Sequence, residues 1–151
     1  MDANIIILGF TGPIGSGCTY ISEMIPEVSS GKKYRYYKLS DVIRNILELE
    51  GNDKPTVQEL QDKGDSLRVD NARGYLIAEL INQIDSESIE DDEGVIIDGI
   101  KNEGEVNTLR QFPNFYLFSV QASKELRAER SLKLSKRFTT MESFDDADKR
   151  D

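Results

Sequence analysis

The N-terminal part of the chain most constrains the fold, because an apolar run leads directly into a glycine-rich stretch. Residues 4–10 contain the run IIILGF, which is typical of a central parallel strand that is covered on both faces. Residues 12–17 follow as a turn, and a helix is expected after it that ends or kinks at Pro26. Strand, glycine turn and helix in this order can surround an anion with backbone amide groups.

The glycine-rich stretch matches the phosphate-loop pattern G-x-x-x-x-G-K-[ST] at every fixed position except the lysine, which is Cys18. It consists of Gly12, Pro13, Ile14, Gly15, Ser16, Gly17, Cys18 and Thr19. Glycines let successive N–H groups converge on phosphate oxygens, and the following helix adds the positive end of its dipole. The position of the stretch favours a nucleotide phosphate site over an ordinary strand-to-helix turn.

Cys18 has different consequences for phosphate binding and for catalysis. A thiol cannot bridge the β- and γ-phosphates as lysine does, and losing one such preorganised contact costs about 3–4 kcal/mol of transition-state stabilisation. Two explanations are open: another base such as Lys101 or Arg130 replaces the lysine, or the site is a sensor and not a catalyst. The thiol itself is either activated by the helix N-terminus or simply a small residue beside phosphate, and the second interpretation is favoured.

The remaining chain alternates between strand and helix patterns, which predicts a three-layer α/β/α P-loop fold with right-handed crossovers and a parallel sheet. Strands are predicted over 34–39, 94–97 and 115–122, and helices over 41–50, 72–84, 103–111 and 123–137. Residues 51–56 and 86–93 are expected to be loops. Small nucleotide kinases have five strands, so the fifth is expected to be missing or to lie beyond the end of the chain.

Charge and composition exclude several classes of function. The chain has 19 Lys and Arg against 28 Asp and Glu, a net charge of −9, which opposes binding to duplex nucleic acid. With no His and one Cys, it cannot build a Ser/His/Asp triad, a Cys/His pair or a His/Cys zinc site. The single thiol and the absence of signal or spanning patterns predict a cytoplasmic protein without a membrane partner.

Further site candidates lie at the carboxyl ends of the predicted strands, where parallel sheets bind ligands. Asp98 follows a buried strand and is predicted to hold Mg²⁺ together with Thr19, an interpretation favoured over an ordinary helix cap or turn former. Arg44, Arg68, Arg73 and Lys101 are the basic residues expected to face the same crevice. Arg127, Arg130 and Arg137 are candidates for a closing lid, with ion pairing along the helix as the alternative.

The C-terminal residues differ from the rest in composition. The last ten, ESFDDADKRD, hold five acids, two bases and few apolar side chains, so they are expected to be mobile or to dock on something absent. The predicted division is a P-loop domain over 1–137 and an acidic tail or linker over 138–151.

The order of these segments resembles a known family. GFTGPIGSGCT, LSDVIR, LQDKGDSLR, VIIDGIKNEGEVNTLR, FYLFSVQA and ELRAER are similar to the N-terminal P-loop kinase-like domain of the anti-phage dCTP deaminases, also called deoxycytidylate deaminase-related proteins. The stretch from Asp98 to Arg110 is the most specific part. More distantly, the pattern resembles adenylate and dephospho-CoA kinases.

The resemblance implies a regulatory nucleotide-binding domain with a nucleoside triphosphate and Mg²⁺ as its ligands. It matches Gly12 to Thr19 to the phosphate loop, Arg44 to an arginine that meets the acceptor phosphate, and Asp98 with Lys101 to a D-G-x-x-R segment. In the family a C-terminal zinc deaminase domain carries the hydrolase activity, and its H-x-E and P-C-x-x-C motifs are absent here. Homo-oligomers are expected. The alternative is an active small kinase that phosphorylates a nucleoside monophosphate or a similar acceptor.

Overall fold

Strands and helices alternate along the chain, as the sequence pattern predicts. The computed structural model describes residues 4–87, 89–90 and 92–151, and within them four strands and seven α-helices form. The strands are β1 (Ile7–Thr11), β2 (Lys33–Lys38), β3 (Glu93–Asp98) and β4 (Phe115–Ser119). The helices are α1 (Cys18–Val28), α2 (Leu39–Leu49), α3 (Val57–Asp70), α4 (Tyr75–Ser86), α5 (Glu103–Leu109), α6 (Lys124–Glu129) and α7 (Met141–Arg150).

The four strands form one parallel sheet in the order β2-β3-β1-β4. On the described strands, Ile7, Val95 and Ile97 share one face and pack into the main core. Ile96, which the alternation of the strand turns to the other face, is also 0% exposed. The predicted α/β class with a buried parallel sheet is therefore confirmed.

Helices α2, α4 and α5 supply the other half of the main core. Their buried side chains are Leu39, Val42, Ile43 and Leu47 on α2, Leu76, Ile77, Leu80 and Ile84 on α4, and Leu109 on α5. These positions recur at helical spacing, so each helix presents one apolar stripe to the sheet. None of the helices in the described ranges is long and apolar enough to cross a membrane.

Helices α1 and α3 and strand β4 differ from the sequence-based prediction. Helix α1 continues past Pro26 to Val28, because a proline this close to the end removes only one hydrogen bond of the last turn. Helix α3 lies in a segment for which no element was predicted. Strand β4 ends at Ser119 and forms a sheet edge, so Tyr116, Leu117 and Phe118 stay exposed by 53%, 39% and 46%.

The predicted helix over 123–137 is shorter and changes its geometry. Helix α6 ends at Glu129, and residues Arg130–Leu134 form a π-helical turn that closes with a hydrogen bond from the Ser135 N–H to the Arg130 carbonyl oxygen. Such turns occur often at functional sites, because they redirect a side chain without ending the helix.

The acidic C-terminal segment is ordered, so the expectation of a mobile tail is wrong. Thr140 caps α7, and Phe144 is fully buried in a second core cluster with Ile14, Ala128 and Phe138. One apolar stripe on an otherwise charged helix is enough to fix it to the domain. The division at residues 137 and 138 stays a prediction.

Candidate nucleotide-phosphate site

The glycine-rich loop connects β1 to α1 at the carboxyl edge of the sheet. Gly15 and Gly17 have φ angles of 79° and 98°, a left-handed conformation that favours glycine. Gly17 precedes α1 and offers no side-chain cap. The first N–H groups of a helix have no intrahelical partner, so those of α1 are available to an anion at the positive end of its dipole.

Other parts of the chain press closely against the loop. A Cβ atom on Gly12 would lie 2.5 Å from the Val120 carbonyl oxygen, and one on Gly15 would lie 2.5 Å from the Arg127 carbonyl oxygen. Both distances are too short for any side chain. These two glycines are therefore required by packing as well as by the curl of the loop.

Two arginines hold the loop by its carbonyl groups. Arg127 donates to the Ile14 carbonyl oxygen at 3.1 Å, and Arg130 donates to the Ser16 and Gly15 carbonyl oxygens at 2.9 and 3.3 Å. The π-helical turn begins at Arg130. Because the guanidinium groups take up acceptors that would repel an anion, they leave the loop better suited to phosphate.

Asp98 at the end of β3 is the centre of a buried hydrogen-bond network. It is 1% exposed and accepts from the Thr19 hydroxyl at 2.6 Å, the Tyr36 hydroxyl at 2.9 Å and the Cys18 thiol at 3.1 Å. A buried carboxylate requires such partners. The predicted pair of Thr19 and Asp98 is thus brought together, with a thiol and a phenol added.

The network keeps its thiol and phenol protonated. Burial, and then the hydrogen bond and negative charge of Asp98, raise the pKa of Cys18 to about 12. Burial and Asp98 also raise the pKa of Tyr36 well above its ordinary value. Cys18 is a hydrogen-bond donor here and not a thiolate, which supports its interpretation as a small residue beside the phosphate position.

Lys38, like Tyr36, is a residue of this site that the sequence reasoning missed. It ends β2 opposite Asp98 in the parallel register, and its Nζ lies 3.2 Å from the Thr19 hydroxyl oxygen and 3.9 Å from an Asp98 carboxylate oxygen. Its side chain is 27% exposed and lines the cavity described below. The available signal was its place at a strand end on the edge where parallel sheets bind ligands.

The predicted Mg²⁺ would need the same hydroxyl. Thr19 and Asp98 supply the oxygen atoms that Mg²⁺ prefers. The Thr19 hydroxyl, however, already donates to Asp98 and accepts from Lys38, so the metal ion and the ammonium group compete for one position. In the described residues no group of three or more Cys, Asp or Glu side chains could hold a metal ion.

The loop opens into a cavity of about 1140 Å³. Among the described residues, the basic ones that line it are Lys38, Arg44, Arg68, Lys101, Arg130, Arg137 and Arg150, and the acidic ones are Glu23, Asp65, Asp98 and Asp151. Seven cations against four carboxylates is the reverse of the overall charge of −9. Three of these cations also pair with carboxylates outside the lining: Arg44 with Asp41, Arg68 with Glu105 and Arg150 with Asp62. The lining is thus less acidic than the protein as a whole, which suits an anionic ligand better than the exterior does.

The three candidates for binding a second phosphate line the cavity, but their side chains are held by other groups to different degrees. Arg44 is exposed and pairs at 3.5 Å with Asp41 one turn earlier. Arg68 binds the fully buried Glu105 at 2.9 Å, so it holds α3 to α5. Lys101 donates to the Gly12 carbonyl oxygen at 3.1 Å and pairs with an aspartate near the end of α7 at 2.7 Å.

The lid candidates separate into two groups. Arg130 and Arg137 line the cavity, whereas Arg127 is buried between the loop and α7, where it pairs with Asp148 and lies 5.9 Å from the centre of the Phe144 ring. Arg127 therefore anchors α7 and is not placed as a lid. Arg73 is exposed and lies outside the cavity lining.

Comparison with known proteins gives one relative by sequence. The chain is 33% identical over 129 residues to UPF0200 protein PAE1629 of Pyrobaculum aerophilum, an alignment that covers 83% of the chain and 64% of that protein. The chain thus spans less than two thirds of the relative it matches. No protein-family model matches the chain.

Solved structures resemble the fold at low identity. TT1252 from Thermus thermophilus superposes with a TM-score of 0.59 at 18% identity over 96% of this chain and 79% of its own. A gluconokinase from Sinorhizobium meliloti 1021 gives 0.52 at 14% identity over 99% of this chain and 76% of its own. The P-loop kinase-like fold is confirmed. The relationship to dCTP deaminases stays a prediction.

Proposed function

We propose that this chain is a regulatory nucleotide-binding domain that holds the phosphates of a nucleoside triphosphate. One observation carries the proposal: the loop between β1 and α1 has the glycine geometry of a phosphate cradle, while Cys18 occupies the lysine position. Backbone amides and the α1 dipole suffice for binding, whereas phosphoryl transfer loses a preorganised contact. The basic lining of the cavity supports an anionic ligand.

The longer protein, on this proposal, is a deoxycytidine-nucleotide deaminase of phage defence. The support is the resemblance of the sequence, above all from Asp98 to Arg110, to the P-loop domain of that family. The zinc deaminase domain is its partner in the same polypeptide, and the nucleotide bound here would regulate it. A cytoplasmic homo-oligomer is part of the same proposal. Sequencing the gene beyond Asp151 tests it, because the absence of H-x-E and P-C-x-x-C would contradict it.

Calorimetry tests the binding step. The protein is titrated with ATP, GTP, CTP, UTP and the four dNTPs, with and without Mg²⁺, and saturable binding of at least one is expected. Gly17→Asp should abolish binding, because it places a carboxylate at the cradle. Gly31→Asp is the matched control, since Gly31 also has a left-handed φ of 96° and has open space around it. No binding of any nucleotide to the wild-type protein would end the proposal.

The size of the cavity favours a second candidate, an active small kinase. A volume of about 1140 Å³ exceeds that of an ordinary small-molecule site. Arg44 lies in its lining beyond the loop, and its one ion pair, with Asp41, is exposed, so Arg44 is the candidate for an acceptor phosphate. Transfer of phosphate from ATP to a nucleoside monophosphate or a similar acceptor, lost in Asp98→Ala, would establish the kinase. Nucleotide binding without transfer would favour the regulatory domain.

A further inference from the structure

Three positive groups could replace the missing lysine of the phosphate loop, and only one lies at the Thr19 hydroxyl. Arg130 is occupied by two loop carbonyl oxygens, and Lys101 by the Gly12 carbonyl oxygen and a carboxylate. Lys38 lies at the inner end of the site, 3.2 Å from the Thr19 hydroxyl oxygen, with its nearest Asp98 oxygen at 3.9 Å.

We infer that the Lys38 ammonium group, which enters from β2, is the phosphate-binding cation of this site and takes the position of the expected metal ion. The inference rests on the proposed nucleotide binding and names the counter-ion that makes it possible. It predicts that the bound ligand is a polyphosphate free of divalent metal.

The Asp98 network supports this assignment. The Asp98 carboxylate already accepts from Thr19, Tyr36 and Cys18. Lys38 adds an ion pair to it at 3.9 Å but no hydrogen bond, so none of its donors is used by the carboxylate. An ammonium group has three donors, of which the Thr19 hydroxyl uses one. The remaining donors of Lys38 are therefore available to the oxygens of a phosphate in the cradle.

The same geometry disfavours a divalent ion. A Mg²⁺ ion bound to the Thr19 oxygen would lie about 2.1 Å from it, beside an ammonium nitrogen at 3.2 Å from the same atom. Two cations so close repel each other, and the ammonium group is tethered to β2 by its own side chain. A metal ion can bind here only when the Lys38 side chain moves away. Phosphate binding should therefore become dependent on the metal ion once the ammonium group is removed.

The experiment measures the affinity of the wild-type protein and of variants for ATP, dCTP and inorganic tripolyphosphate by calorimetry, in EDTA and in Mg²⁺. The wild-type protein should bind in EDTA. Lys38→Met should weaken binding in EDTA about 10- to 100-fold, the size expected for a charge-assisted hydrogen bond, and Mg²⁺ should restore part of the loss. Lys33→Met, on the exposed start of the same strand, is the matched control and should bind as the wild-type protein does.

A second variant tests whether charge is the property that matters. Adding Cys18→Lys to Lys38→Met returns an ammonium group to the loop and should recover tripolyphosphate binding in EDTA. Thermal melting verifies that each variant is folded. If Lys38→Met does not fold, the dependence of the wild-type protein on Mg²⁺ still decides.

The outcomes separate this inference from the proposed function. Wild-type binding that requires Mg²⁺, or Lys38→Met binding in EDTA as tightly as wild type, overturns the role of Lys38 and leaves nucleotide binding intact. Absence of binding to every triphosphate, with and without Mg²⁺, overturns both.

Discussion

Cys18 is held as a neutral thiol by its surroundings. A helix N-terminus alone would lower the pKa of a cysteine, but burial and the Asp98 carboxylate act in the opposite direction and prevail. The residue therefore fills the lysine position as a donor to Asp98, without a charge of its own.

The thiol should react slowly. With a pKa raised from 9.0 to about 12, its thiolate fraction at pH 8 falls roughly 1000-fold. We expect modification by a disulfide reagent at pH 8 to be at least about 100-fold slower in the native protein than in urea. Asp98→Asn should accelerate the native reaction, since it removes a charge that raises the pKa. Equal rates in native and unfolded protein would contradict this picture.

The same shift gives a pH dependence of stability. The folded pKa lies above the unfolded one, so between pH 9 and 12 the unfolded chain has released the proton that the folded chain still holds. The free energy of unfolding should therefore fall as the pH rises through this window. Urea denaturation at pH 8 and 10 measures the free energy of unfolding of the wild-type protein and of Cys18→Ala. A difference between the two proteins that is the same at both pH values would contradict the prediction.

Gly15 is required for two reasons that a variant can separate. Gly15→Ala combines a left-handed φ of 79° with a Cβ atom 2.5 Å from the Arg127 carbonyl oxygen. Gly51→Ala has only the conformational cost, because Gly51 has a φ of 95° in open space. We expect urea denaturation to show a loss of about 1 kcal/mol for Gly51→Ala and at least about 2 kcal/mol more for Gly15→Ala. Equal losses would mean that the loop relaxes away from α6.

Helix α7 depends on one buried ion pair and one aromatic ring. Arg127 and Asp148 are 10% and 13% exposed in their side chains, and Arg127 also bonds the Ile14 carbonyl oxygen in the phosphate loop. The guanidinium group of Arg127 thus joins the C-terminal helix to the loop, in addition to the link that Lys101 makes between Gly12 and Asp151.

Breaking this pair should cost much more than breaking a surface pair. Asp148→Asn leaves a charge of Arg127 buried without its partner, and we expect a loss of about 3 kcal/mol in the free energy of unfolding. Asp146→Asn removes the exposed pair with Lys149 on the same helix and should change it by less than about 0.5 kcal/mol. Urea denaturation followed by circular dichroism compares the two. Similar values would show that other contacts, such as Phe144 and the pairs of Arg150 with Asp62 and Asp65, hold α7.

The sequence predicts most elements but not all of their contacts. Apolar periodicity identifies α2 and α4, and the β-branched run identifies β1, because these elements bury one stripe or two faces in a large core. Helix α3 has a weak apolar stripe, so only its capping box from Thr56 to Glu59 could have revealed it. The order of α7 could not be predicted, since it depends on a partner, Arg127, that lies far away in the sequence.

In the candidate site, too, some residues are predicted from the sequence and others are not. The loop is local in sequence, and its residues are predicted by spacing alone. Lys38 reaches the loop only through the pairing of β2 with β3, and Arg127 changes from a lid candidate to an anchor only through the packing of α7. Contacts between distant segments need the register of the sheet, which spacing along one chain does not contain.

Charge is distributed unevenly over the protein. The whole chain has a net charge of −9, whereas the described lining of the cavity has seven cations and four carboxylates. A compact polyanion can enter this region, while an extended one must also pass the acidic exterior.

Duplex DNA and tripolyphosphate should therefore behave oppositely. At low ionic strength we expect no shift of a 30-base-pair duplex in a gel by micromolar protein, and measurable tripolyphosphate binding by calorimetry under the same conditions. Duplex affinity needs several phosphate contacts on one basic face. A duplex shift that disappears in moderate salt would show a basic binding surface on the exterior and would contradict the prediction.

Arg127 and Arg130 fix the curl of the glycine loop by hydrogen bonds to its carbonyl oxygens. An arriving polyphosphate then finds its contacts already formed and does not have to wait for the backbone to rearrange. Encounter should be fast and governed by diffusion and ionic attraction, so that the departure rate alone sets how long each ligand stays. On the proposed function, such a domain would report changes in nucleotide supply as quickly as its ligand dissociates.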